Sequence, residues 1–199
     1  VTELRAYVEI DSMQLQWAAY VAQTCQGDPP LAGMAQLYVE VSPANDVFGL
    51  VDVAVKSADV RPGLQVVERQ FGTLEIHGRS LSDVRHAGEC MLARLRVGLA
   101  ERALPEIVAC EVVTRVDAAQ AQLVNRLRVA NLLLEGETMF LLEATPAAYV
   151  AAAANEAEKH APVKLVYAAT LGATGRLVLA GTDAAIAAGR RAAMGALDH

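Results

Sequence analysis

Leu4, Ala6, Val8 and Ile10 place apolar side chains at every second position, the period of a strand with one face covered. Asp11 or Ser12 is placed to cap a following helix that runs to about Thr24, and Gly27-Asp28-Pro29-Pro30 then breaks the chain. Residues 36 to 41 predict a second strand. Ser42-Pro43 next supplies a hydroxyl cap and a proline at the first position of a helix reaching Ser57, a device that Thr145-Pro146 repeats. Val60 to Arg69 and Thr73 to His77 read as two strands across a short turn at Phe71-Gly72. Ser80 with Asp83 makes a capping box for a helix to about Ala100. The second half repeats this order and ends in a helix from Thr182.

That repetition extends to single residues. An offset of 103 lays Leu31, Gly33, Glu40, Pro43, Ala44, Lys56 and Val60 on Leu134, Gly136, Glu143, Pro146, Ala147, Lys159 and Val163, and Gly72 and Gly78 on Gly175 and Gly181. Upstream, an offset of 106 pairs Asp11, Gln14 and Gln16 with Asp117, Gln120 and Gln122. The chain is therefore expected to hold two tandem α+β domains, residues 1–104 and 105–199, joined near Glu101 to Pro105. Any ring of n such chains has 2n near-equivalent modules, so assembly is the expected context of function.

With 54% hydrophobic letters in 199 residues, apolar surface is expected to be buried against partner subunits, and only 5% aromatics leaves the core to Ala, Val and Leu. A net charge of −6 without a basic run argues against nucleic acid as a partner. The longest apolar stretch, Pro146 to Ala154, is too short for a bilayer and no export pattern opens the chain, so a cytoplasmic protein without a membrane partner is expected. Cys25, Cys90 and Cys110 lack any CxxC spacing and read as three free thiols, mostly buried.

Candidate chemistry is sparse. Glu68 and Arg69 put opposite charges at one hairpin tip, Glu68-Arg69-Gln70-Phe71-Gly72, whereas the matching turn, Leu171-Gly172-Ala173-Thr174-Gly175, is uncharged and small. Two readings stand side by side: an exposed ion pair worth at most about 1 kcal/mol, or pairs gathered at a symmetry axis that close and open a pore. Asp52 and Lys56 lie four apart on one helix, with Asn155 and Lys159 in the same places of the repeat; they form a solvated surface pair or an edge that a neighbouring subunit meets. His86 and Cys90 share that spacing but have no third ligand, and His77, His160 and His199 are scattered, so no metal site is expected. Gly172 to Arg176 lacks the Gly-Lys-Ser/Thr of a phosphate loop, and no GxSxG, HExxH or paired-carboxylate arrangement appears. A catalytic role is not expected.

The stretches Val53-Ala-Val-Lys-Ser-Ala-Asp-Val60 through Gly78, and Asn155-Glu-Ala-Glu-Lys-His-Ala-Pro-Val163 through Gly181, resemble bacterial microcompartment shell proteins of the tandem-domain class. In each half the strand and helix that usually end such a domain come first, as in the circularly permuted subclass whose trimers stack and carry a gated pore. The resemblance implies ferredoxin-like α/β sandwiches in a pseudohexameric homotrimer, a stacked dimer of trimers, and other shell proteins as partners at the tile edges. It further implies a gate at Glu68 and Arg69, tile-edge contacts at Lys56 and Lys159, and small polar metabolites passing the pore. Some relatives hold an iron–sulfur cluster through a pore-loop cysteine; neither loop here has one, so no cofactor is expected. The rival expectation is a soluble trimeric sensor that binds a small molecule.

Overall fold

The computed structural model describes residues 2–198. The chain divides into two compact units: one up to Leu104 together with Leu171–Ala173, the other Pro105–Thr170 with the residues from Thr174 onward.

In the first unit β1 (Glu3–Ile10), α1 (Leu15–Thr24), β2 (Ala35–Ser42), α2 (Asp46–Ser57), β3 (Arg61–Glu68), β4 (Phe71–Gly78) and α3 (Leu81–Leu95) follow in order. The four strands form one antiparallel sheet in the order β1-β2-β4-β3. Leu37, Val39, Val41, Leu74 and Ile76 meet Val47, Leu50 and Ala54 of α2 and Val84, Ala87 and Met91 of α3 in a single core. The helix residues recur at three- and four-residue intervals, so each helix presents one apolar stripe to the sheet.

The second unit repeats the plan with β5 (Glu106–Val113), α4 (Ala118–Asn125), β6 (Thr138–Thr145), α5 (Val150–His160), β7 (Lys164–Ala169), β8 (Gly175–Gly181) and α6 (Asp183–Gly195), its sheet ordered β5-β6-β8-β7. Alanines line the buried side of α5, at 151, 153, 154 and 157. No described helix is long and apolar enough to cross a membrane.

Several local expectations are corrected. Neither Asp11 nor Ser12 starts α1: the Met13 N–H donates to Met34 O and the Met13 carbonyl accepts from Gly33, so the helix begins only after Gln14, the N-cap. The same pair of bonds joins Val116 to Glu137 and Gly136, and Asp117 takes the N-cap of α4. The repeat thus keeps an offset of 103 here too, not 106. The Ser42–Pro43 and Thr145–Pro146 peptides are cis, and the prolines do not begin helices. Asn45 precedes α2, and a 3-10 turn at Ala147–Tyr149 leads into α5. The β3–β4 turn is Arg69-Gln70 rather than Phe71-Gly72, which lie in β4. Ser80 Oγ caps α3 by accepting from the Asp83 N–H, but the helix stops at Leu95, where Arg96 turns left-handed (φ 59°). The three cysteines are free and half-buried rather than mostly buried.

Candidate functional site

β3 and β4 converge on a two-residue tip. Glu68 and Phe71 form the last registered pair, leaving Arg69 and Gln70 to turn the chain, and Glu68, Arg69 and Gln70 are all exposed. Arg69 has a φ of 55°, a left-handed conformation that costs a side chain about 1 kcal/mol and suits a tight hairpin. The offset of 103 places Gly172 at the same point of the repeat, with φ 94°. One copy therefore fills this backbone position with the residue that holds it without strain, and the other with a charged one. Behind the tip lies an open hollow of about 270 Å³ lined by Ser42, Pro43, Asn45, Val67, Arg69 and Gln70.

The base of the tip is fixed from two sides. A Cβ on Gly72 would stand 2.2 Å from the Ala44 carbonyl oxygen, so β4 passes the Pro43–Asn45 turn at a distance only glycine allows. Gly175 meets Ala147 in the same way, at 2.4 Å. In β1 a bulge between Leu4 and Ala6 leaves Arg5 out of the ladder and redirects its side chain. The Arg5 Nε donates to Glu40 Oε1 at 2.7 Å, and its guanidinium lies 3.8 Å above the Phe71 ring centroid. Glu40 is wholly buried.

The second tip, between β7 and β8, is longer and plain: Leu171 and Gly172 are half-buried, Ala173 and Thr174 exposed, and Gly175 begins β8. Glu143, the counterpart of Glu40, takes its cation from Arg176 on β8, 2.8 Å from Nε.

On α2, Lys56 pairs with Asp52 at 2.5 Å and both are exposed. Lys159 is also exposed but pairs with Glu156 at 3.2 Å, while Asn155 is buried at 1% exposure. Asn155 is thereby corrected as an edge contact, because its side chain points away from solvent. His86 Nε2 lies 3.7 Å from Cys90 Sγ with no third ligand; no metal-holding group of three appears among the described residues, and His199 lies outside them.

A polar network in the first unit was not legible as such. Trp17 Nε1 donates to Gln36 Oε1 at 2.7 Å and Gln36 Nε2 to Glu75 Oε1 at 2.9 Å. The Gly63 N–H donates to Glu75 Oε2 at 3.1 Å. His77 stands between Glu75 Oε1 (3.1 Å from Nδ1) and Asp28 Oδ2 (3.3 Å from Nε2). Gln36, Glu75 and His77 are within 1% of full burial. Burial opposes the charged ring, but hydrogen bonds and charge from Glu75, then Asp28, outweigh it and hold the His77 pKa above its ordinary value. In sequence Gln36, Glu75 and His77 alternate with the core residues Leu37, Leu74 and Ile76, so pattern alone assigns them to a solvated face of the sheet, and only the fold covers it.

A family profile described as "CsoS1D N-terminal domain" matches residues 4–101. Carboxysome shell protein CcmP of Synechococcus elongatus is 43% identical over 99% of this chain and 92% of its own. Two solved structures superpose with a TM-score of 0.95 each. The fused permuted hexameric shell protein MSM0275 of the RMM microcompartment is 42% identical, over 98% of this chain and 96% of its own. The double-ringed trimeric shell protein MSM0271 of the same microcompartment is 37% identical, over 99% and 96%.

Proposed function

The chain belongs to the CsoS1D and CcmP family of tandem-domain microcompartment shell proteins, and on that premise we propose that three copies form a pseudohexagonal tile whose central pore is gated by Glu68 and Arg69. It is a structural shell protein and not an enzyme. Its two shell domains are residues 1–104 and 105–199.

One observation carries the gate: the tip position that the repeat fills with Gly172 is filled by a left-handed, exposed Arg69 next to Glu68. In a threefold ring, charged tips alternate with the plain tips at Leu171–Gly175. Glu68 and Arg69 paired between subunits close the axis, and turned away they open it. Gln70, Phe71 and Gly72 complete the first pore loop. A lining of ionic side chains favours charged or polar metabolites over gases. The likeness to a double-ringed trimer supports two trimers stacking face to face around a chamber. Exposed Lys56 and Lys159 support contacts with neighbouring shell proteins at the tile edge. Full-length likeness to shell proteins leaves the sensor reading without an observation in its favour.

Particle imaging by cryo-electron microscopy tests the gate. The native protein is expected to show both pore states, and Glu68→Ala with Arg69→Ala only the open one. Closed pores in that double variant overturn the reading.

A further inference from the structure

We infer that Arg5 is a positioning residue for the gate, pinning Phe71 from above and so confining movement of the β3–β4 hairpin to its two-residue tip. This rests on the gate reading and extends it to a residue on another strand.

Arg5 reaches this position because it is the extra residue of a bulge. The ladder runs from Leu4–Val41 to Ala6–Glu40, and the skipped side chain is turned across the sheet. Glu40, wholly buried, holds the guanidinium through a charge-assisted bond of 2.7 Å, and the Arg5 side chain is itself only 15% exposed. A guanidinium so fixed, 3.8 Å over the Phe71 ring, is a cation–π contact with little freedom on the cationic side. Phe71 is the first residue of β4 after the tip, and Gly72 beyond it is wedged under the Ala44 carbonyl. Motion that begins at Arg69 is thus stopped two bonded residues later.

The repeat serves as an internal control. The bulge recurs between Ile107 and Ala109, but the skipped residue is Val108, 53% exposed. Glutamate recurs as Glu143, but its cation comes from Arg176, registered across from it on β8 rather than on β5. Phe71 becomes Thr174. Bulge and carboxylate are retained in both units, while among the described residues guanidinium and ring occur together only beside the charged tip. If Arg5 served only to pair with a carboxylate, the ring would be dispensable; Arg176 pairs with Glu143, which is 28% exposed, without one.

The experiment compares native protein, Phe71→Leu, Arg5→Met and Arg5→Lys as assembled trimers. It reads the ratio of closed to open pores in imaged particles and amide exchange at residues 70–72. Phe71→Leu leaves the Arg5–Glu40 pair in place, so it remains informative even where Arg5→Met fails to fold on account of Glu40. Phe71→Leu and Arg5→Met are expected to change the closed-to-open ratio about two- to fivefold, the range that one partly exposed cation–π contact supports, and to speed exchange at residues 70–72. Arg5→Lys, which keeps a cation over the ring, is expected to restore most of both. A Phe71→Leu trimer with native ratio and native exchange overturns the inference, and with all pores open in Glu68→Ala/Arg69→Ala it leaves the gate standing. Faster exchange in Phe71→Leu, with closed pores persisting in Glu68→Ala/Arg69→Ala, overturns the gate and with it the role of Arg5 there, leaving the contact as a brace of the hairpin alone.

Discussion

His77 has carboxylate oxygens at both ring nitrogens, and a carboxylate accepts but does not donate. The arrangement favours the charged ring with a proton on each nitrogen, in line with a pKa raised above its ordinary value by Glu75 and Asp28 against the opposing effect of burial. The other charged residue at this point of the sheet is Arg61, registered across from His77 on β3. A base whose folded pKa exceeds its unfolded one adds stability that is complete below the unfolded value and fades as pH rises through the folded one. The denaturation midpoint of the protein is therefore expected to fall as pH is raised from about 6.5 upward, and less steeply in His77→Gln. Urea titrations of both proteins across that range check it; parallel slopes count against the network. Exchange should loosen first at residues 26–28, whose N–H groups donate to Gly63 and Pro62 and whose Asp28 is the exposed end of the chain of bonds. The separate letters Gln36, Glu75 and His77 did not disclose this site, since partners 39 and 49 residues apart are joined only by the fold.

Among elements, the hairpin bases depend on two glycines for a reason of space. Gly72→Ala would bring a methyl group to 2.2 Å from a backbone oxygen that cannot swing aside, so either β4 or the Pro43–Asn45 turn must move. A loss of about 1–3 kcal/mol is expected, read as an earlier unfolding midpoint, with a similar loss for Gly175→Ala. Strands and helices were legible wherever one face is apolar, as in Leu4–Ile10 and in Val47, Leu50 and Ala54. Their ends were not, because the deciding interactions lie outside the local pattern. α1 waits on a bond between Met13 and Met34, α3 ends on a left-handed arginine where no glycine marks the stop, and Pro43 and Pro146 lie ahead of α2 and α5 rather than starting them. The tip moved from Phe71-Gly72 to Arg69-Gln70 because Gly72 serves closeness to Ala44, not a turn.

For the whole molecule, the repeat was the legible feature, and the fold then followed twice over. Its offset of 103 holds through the bulges at Arg5 and Val108, the N-caps Gln14 and Asp117, and the left-handed positions 69 and 172. At the proposed edge both lysines are exposed, but Asn155 sank into the interior while Asp52 stayed out. Ion pairs this exposed are worth at most about 1 kcal/mol, so neither Asp52 nor Glu156 prevents its lysine from reaching a neighbour. Lys56→Ala with Lys159→Ala is expected to abolish two-dimensional sheets while leaving a particle of three chains of 21.1 kDa, or a multiple of it, in native mass spectra. Extended sheets formed by that variant would remove the lysines from the edge.

The different residues at positions 69 and 172 also bear on how such a tile can change over generations. In a ring of six identical chains every substitution at the axis is made six times at once, and an arginine there brings six positive charges together. Fusion of two copies breaks that rule. A mutation in one copy is repeated three times, and the sister copy can keep its glycine and the room it leaves. If residues 69 and 172 line the pore as proposed, heredity can thus adjust charge and clearance at one opening as separate traits.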